Sequence, residues 1–107
     1  LPSYIGYAQA PQALTAATGA VSVTHAITTI ATGAASAYSL ANGTPGQTKH
    51  IVMIVDGGAA VITVASPGMP GTDTTLTFDT VGDACTLLFI DTTSGWAVVG
   101  NNGVVVA

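Results

Sequence analysis

The sequence has very little charge. It contains one lysine, no arginine and no glutamate, and its five acidic residues are all aspartate, so only 6% of its 107 residues are charged. A globular domain is ordinarily about a quarter charged. With a net charge of −4 and a single cation, the chain lacks the basic groups that neutralise nucleic-acid phosphates or attach to an anionic membrane. We therefore expect neither nucleic acid nor membrane among its partners.

Cysteine and long apolar runs are also scarce. Cys85 is the only cysteine, so no intrachain disulfide forms, and the apolar run Cys85–Ile90 around it predicts a buried, inert thiol. No apolar run approaches the roughly 20 residues that cross a bilayer, and no signal-peptide pattern is present. Because so few charges cannot keep a surface polar, we expect other copies or another protein to cover much of it.

Short apolar segments separated by turns fill the rest of the chain. Ile51–Val55 is an unbroken, mostly β-branched run that predicts a strand buried on both faces, and Cys85–Ile90 is a second run of this kind. Asp56-Gly57-Gly58 then predicts a tight hairpin to a strand ending at Val64. Turn signals every ~8–12 residues predict an all-β fold, an antiparallel β-sandwich or jelly-roll-like small barrel.

The beginning of the chain differs from the remainder. We divide the sequence into an extended N-terminal arm, residues 1–19, and a single β domain, residues 20–107. Two prolines oppose regular pairing in the arm, and its large apolar side chains are too many for a free tail. The arm either packs along its own domain or contacts a neighbouring subunit or a larger surface. In the second case the contact residues are Tyr4, Ile5, Tyr7 and Leu14.

The side chains able to carry chemistry are few and poorly spaced. His25 shares the parity of neighbouring valines, which favours a structural role, and His50 is expected to be exposed at a strand end. The two histidines lack the spacing of a zinc site. Three aspartates, Asp73, Asp79 and Asp83, lack the pattern of a calcium loop and favour turn capping. We expect no catalytic residue, no metal and no cofactor.

Aromatic residues offer one alternative, a carbohydrate-binding surface. Tyr38 and Trp96 are the candidates that would face a ligand, and Asn101 and Asn102 lie near Trp96 in the sequence. Against this, Trp96 alternates with Val98, a pattern that favours a core position.

The order of segments from Ser39 onward carries a resemblance. The segments are SLANGTPGQTKHIVMIVDGG, then VITV, a Pro/Gly loop with TLTF, VGDACTLLFI and SGWAVVGNNG. A Gly-rich turn ending in Gly-Gln before a buried strand, a "TL" strand and a late "GW" strand make this region similar to small β domains of tailed-bacteriophage structural proteins. The resemblance covers about two-thirds of the chain. It implies a cement or decoration protein, a head fibre or a tail-fibre head, usually a homotrimer, and it transfers no catalytic residue.

These observations lead to one expectation and one alternative. We expect a non-enzymatic virion structural protein, a capsid cement or decoration protein that assembles in the host cytoplasm. On the capsid exterior it would bind the major capsid protein as a homotrimer. The alternative is the receptor- or carbohydrate-binding head domain of a phage head or tail fibre.

Overall fold

Residues 10–107 are described by a computed structural model, and within this range the chain forms ten β-strands and no helix. The strands are β1 (Gln12–Leu14), β2 (Thr18–Val21), β3 (Ile27–Ala31), β4 (Ser36–Leu40), β5 (Thr48–Val55), β6 (Ala60–Val64), β7 (Thr75–Phe78), β8 (Ala84–Phe89), β9 (Trp96–Asn102) and β10 (Val105–Val106). The described part of the chain contains no helix that is long and apolar enough to cross a membrane.

The strands form two five-stranded sheets arranged as a sandwich. Sheet A has the order β1-β3-β5-β8-β9, and sheet B has the order β10-β7-β6-β4-β2. The predicted all-β, sandwich-like fold is therefore confirmed. The pairing is mixed rather than antiparallel as predicted. The first three strands of each sheet, β1, β3 and β5 in one and β2, β4 and β6 in the other, run parallel to their neighbours.

The parallel pairing arises because the first six strands alternate between the sheets. Each pair of successive strands, β1 and β2, β3 and β4, then β5 and β6, forms one rung of a short coil, and the three rungs stack. The predicted hairpin between Ile51–Val55 and the strand ending at Val64 is therefore wrong, since β5 and β6 lie in different sheets. After the third rung, β7, β8, β9 and β10 add to the two sheets in antiparallel pairs.

The corner between β5 and β6 explains why two glycines follow Asp56. Neither Gly57 nor Gly58 has the positive φ that a hairpin turn would require. Instead, a Cβ atom on Gly57 would collide with the Thr32 carbonyl oxygen, and one on Gly58 would collide with the backbone between Ala34 and Ala35. These glycines let the third rung lie directly against the backbone of the second.

The Thr32 side chain links the two stacked corners. Its hydroxyl donates to the Gly58 carbonyl at 2.6 Å and accepts from the Gly57 amide at 3.0 Å, while its own amide donates to the Val55 carbonyl at 3.0 Å. Thr32 is buried, so these bonds satisfy groups that water does not reach. The contact between these two corners is thus made by backbone atoms and the Thr32 hydroxyl.

The core lies between the inward faces of the sheets. Alternate residues of β3 to β8 are buried, among them Ile51 and Met53 of β5. Trp96 is fully buried, packs edge-on to Phe89 with ring centroids 5.2 Å apart, and donates its Nε1–H to the Ala41 carbonyl at 3.0 Å. The polar end of the indole is therefore satisfied without water.

Part of the predicted arm belongs to the sandwich. Strand β1 lies within residues 1–19 and β2 begins there, at Thr18, and these two strands are at the edges of sheets A and B. Leu14, a predicted partner contact, is a member of the core of its own chain. Its side chain is consequently unavailable to a partner, because β1 pairs with β3 and directs it inward. Tyr4, Ile5 and Tyr7 lie outside the described residues.

Replacing Gly57 with alanine should strongly destabilise the fold. The new methyl group has no space against the Thr32 carbonyl, so we expect the free energy of unfolding to fall by about 2–3 kcal/mol, as for overpacked cores. Gly33, in the neighbouring corner, is the matched control, since a Cβ there meets nothing within 4 Å. Gly33→Ala should change stability by less than about 0.5 kcal/mol in urea denaturation. Equal effects of the two variants would contradict the stacked-corner arrangement.

Candidate interaction surface

The outward surface of sheet A is the most distinctive surface of the molecule. We call it the sheet A face. Side chains that alternate with the buried ones form it, namely Ala13, Ile27, Thr29, Ala31, Thr48, His50, Val52, Ile54, Ala84, Thr86, Leu88, Ala97, Gly100 and Asn102. Among these described positions no side chain carries a formal charge, and His50 is the only titratable one.

Two bulges increase the apolar character of this face. The pairing of β3 with β5 shifts register near the end of β5, so that Ile54 and Val55 are both about half exposed, at 51%. A second shift between β8 and β9 leaves Val99 59% exposed. Because a bulge adds a residue to one strand, it turns an extra side chain outward. The register shifts therefore add large apolar side chains to the surface.

The charges lie at the ends of the sheets. Asp56 follows β5 and Asp91 follows β8, and these two strands are antiparallel, so the carboxylates lie at opposite ends of sheet A. Each aspartate caps its own turn. The Asp91 carboxylate accepts from the Ser94 amide at 2.7 Å and the Thr93 amide at 2.9 Å, and these bonds lower its pKa. The sheet A face thus has an acidic rim at both ends.

The outward surface of sheet B differs in chemistry. Its outward positions are mostly hydroxyl or small side chains, such as Ser39, Thr63 and Thr77. Val105 on the short edge strand β10 is its most exposed large apolar residue, at 54%. Both sheets therefore lack charge on their outward surfaces in the described chain, but only sheet A has several large apolar side chains there.

A shallow groove of about 300 Å³ crosses the sheet A face between β5, β8 and β9. Its polar side chains are His50, Thr86, Asn101 and Asn102, and Asn101 donates to the Val104 carbonyl at 2.8 Å. The His50 Nδ1 lies 3.0 Å from the Thr86 hydroxyl, and Asn102 donates to the Gly82 carbonyl at 3.1 Å. These side chains are occupied with one another or with backbone. Consequently the groove has surface relief, but it does not hold a set of converging catalytic groups.

The two aromatic candidates for ligand stacking are both in the core. Tyr38 is 3% exposed and donates its hydroxyl to the Ala16 carbonyl at 2.5 Å, and Trp96 has no exposed surface. The alternative in which these rings face a ligand does not fit the structure, because both point inward between the sheets. The alternation of Trp96 with Val98 was the correct signal.

The histidines and aspartates are dispersed. His25 lies in the corner after β2 with its Nδ1 2.8 Å from the Ser22 hydroxyl, whereas His50 is on the outer face of β5. Asp83 accepts from the Asp79 and Thr80 amides at 3.0 and 3.1 Å, so its predicted turn-capping role is confirmed. Within residues 10–107 no three His, Cys, Asp or Glu side chains come together in a way that could hold a metal.

Cys85 is buried, as predicted. Burial raises the pKa of its thiol to about 12. The thiolate, which is the reactive form, is therefore absent at neutral pH.

Lys49 is the residue whose role the sequence analysis missed. The only basic side chain of the protein is fully buried, and its Nζ donates to the Thr28 hydroxyl at 2.6 Å and to the His25 carbonyl at 2.8 Å. Thr28 in turn donates to the Gln12 side chain at 2.8 Å. This chain of bonds joins β5, β3 and β1. The parity of Lys49 with Ile51 and Met53 was the signal that it points inward.

Comparison with known proteins does not assign the chain to a family. No protein-family model matches it, and no curated protein sequence matches it. The function must therefore be argued from the surface described above.

The buried lysine predicts a pH-dependent stability. Burial lowers the pKa of Lys49 from 10.5 to about 8, so between these values the unfolded chain holds a proton that the folded chain has released. The contribution of Lys49 to stability should therefore rise with pH between about 8 and 10.5, by at most about 1.4 kcal/mol per pH unit.

Lys49→Met is the matched variant for this measurement. Its free energy of unfolding should lack the contribution of Lys49. The wild-type value minus the variant value should therefore increase from pH 8 to pH 10. The raised pKa of Cys85 acts in the opposite direction, but it is common to both proteins and cancels in the difference. A difference that stays constant with pH would show that Lys49 keeps its ordinary pKa.

Proposed function

We propose that this protein is a non-enzymatic virion structural protein of the capsid cement or decoration class. In this proposal it binds the major capsid protein on the outer surface of the capsid as a homotrimer and stabilises the shell. Assembly would take place in the host cytoplasm. The main support is the sheet A face, a five-stranded surface without formal charge and with half-exposed Ile54 and Val99.

The character of this surface favours a permanent structural contact over catalysis. Permanent interfaces are more apolar than transient ones and resemble a protein core cut in half. A catalytic site needs a nucleophile, base or metal shell with mutual geometry. In the described part of the chain, by contrast, the histidines are apart and the thiol is buried. The similarity to small phage β domains, noted from the sequence, selects the virion among possible permanent assemblies.

The N-terminal segment is the proposed capsid contact. It comprises the uncharged residues 1–9 with Tyr4, Ile5 and Tyr7, and it precedes β1 at one edge of sheet A. Leu14 is not included, because it belongs to the core. The alternative is a carbohydrate-binding fibre head. Its two aromatic candidates are buried in the core, and it has no other specific support.

Deleting residues 1–9 should abolish binding to the capsid without unfolding the β domain. Both strands of the first rung remain, since β1 begins at Gln12. The measurement is co-sedimentation with capsid shells of the encoding virus, prepared without this protein, together with thermal unfolding of the variant. A deletion through residue 14 is unsuitable, because it would remove β1 and its core leucine.

A full-length variant with serine at positions 4, 5 and 7 separates side-chain contacts from the length of the segment. It should fold normally and also fail to bind the shells. Undiminished binding by both variants would remove the N-terminal segment from the proposal. Failure of the wild-type protein to bind the shells would overturn the cement function itself.

A further inference from the structure

Two neighbouring strands of sheet A have sequences suited to burial on both sides. Ile51–Val55 and Cys85–Ile90 are continuous apolar or nearly apolar runs, the pattern of strands covered on both faces. In the sandwich these strands, β5 and β8, are paired, and only their inward side chains are fully buried. Of their outward side chains, Val52 and Leu88 are partly buried and Ile54 is 51% exposed, and Ile90, directly after β8, is 41% exposed.

The charge of the chain indicates what kind of partner suits the outward side chains of β5 and β8. Apart from the chain termini and the buried Lys49, the chain carries only negative formal charges. Lys49 is the only lysine, the chain has no arginine, and Lys49 is buried, so an aspartate in a contact between copies would find no lysine or arginine on the other copy to pair with. The sheet A face avoids this, because its carboxylates Asp56 and Asp91 are at the ends. A foreign partner would not impose this constraint, since it could supply cations to match acidic groups.

The size of the face also suits association. Strands about 4.8 Å apart and about six residues long give a five-stranded face of about 24 by 19 Å in projection. This projection is about 460 Å², a little over half of the roughly 800 Å² that each partner buries in a standard interface, and the protruding side chains make the accessible surface larger than the projection. Sheet B also has a five-stranded outward surface without charge, but only the sheet A face has several large apolar side chains.

We propose that copies of this chain associate through the sheet A face, with the outward side chains of β3, β5 and β8 at the centre of the contact. In the proposed homotrimer, three such faces would line the three-fold axis and leave sheet B facing outward. The inference rests on the proposed function only for the number of copies, because the contact itself is argued from the face.

A lysine placed on the face tests this contact. Ile54→Lys and Ile27→Lys should each shift the mass measured by light scattering from a multiple of 10.5 kDa to that of a single chain. Association would bury the new cation in an apolar contact that has no partner to compensate it. Val105→Lys is the matched control, since Val105 on sheet B is 54% exposed and the charge change is the same. It should leave the assembled mass unchanged.

A second measurement does not depend on the lysine variants folding. Cys85 is buried, so a cysteine introduced at position 54 or 105 is the only accessible thiol. At concentrations where the wild type is assembled, Ile54→Cys should react with a maleimide at least tenfold more slowly than Val105→Cys. Dilution should remove that difference, because the two side chains are equally exposed in one copy.

The outcomes distinguish this inference from the proposed function. A monomeric wild type, or equal reactivity of the two cysteines at all concentrations, would overturn the sheet A contact, and so would an assembled Ile54→Lys variant. A monomer that still binds capsid shells would retain the cement function without this interface. An assembled wild type that fails to bind shells would retain the sheet A contact and overturn the cement function.

Discussion

The close stacking of one corner on another determines the architecture of this protein. The first six strands alternate between the two sheets, and the chain can do this only if each corner lies against the previous one. Gly57 and Gly58 permit the backbone of the third rung to approach Thr32 and Ala34 without side chains between them. The parallel pairing of both sheets follows from that approach, because strands entered from the same side of the sandwich must run in the same direction.

The same coil explains how the single lysine is buried and hydrogen-bonded inside the sandwich. Each parallel rung adds one strand to sheet A, and the inward positions of successive strands come into line. Gln12, Thr28 and Lys49 occupy such positions, so their hydrogen bonds run across three strands. A buried cation without a carboxylate partner is costly, and the two oxygens at 2.6 and 2.8 Å offset only part of that cost. The lowered pKa of Lys49 reflects this balance.

Short-range patterns in the sequence predicted the elements better than their arrangement. The apolar runs around Ile51 and Leu87 identified the two central strands of sheet A, and the alternation at Trp96 predicted its core position. The Asp-Gly-Gly signal gave the right place for a reversal of the chain but the wrong partner, because a hairpin and a corner between sheets can use the same residues. Only the tertiary structure tells whether glycine is needed for a positive φ or for the close approach of another backbone.

The sequence carries only part of the signal for the candidate surface. Low charge predicts that other copies or another protein cover much of the molecule, but it does not say which part, and Leu14 of the predicted contact residues is in the core. The register shifts that expose Ile54 and Val99 have no signature in a single sequence, because a bulge depends on how two distant strands align. The signal that the sequence does carry is the apolar pattern on both sides of β5 and β8, which is typical of strands covered on both faces.

Burial of Lys49 also affects the susceptibility of the protein to trypsin. It is the only residue in the sequence after which trypsin can cut, and it lies in β5, the middle strand of sheet A, with a neighbouring strand on each side. An extended segment must leave both neighbours before a protease can bind it, so local fraying at a terminus or loop does not expose the bond. For this chain, tryptic cleavage therefore measures opening of the whole sheet, and the folded domain is a poor substrate despite its small size.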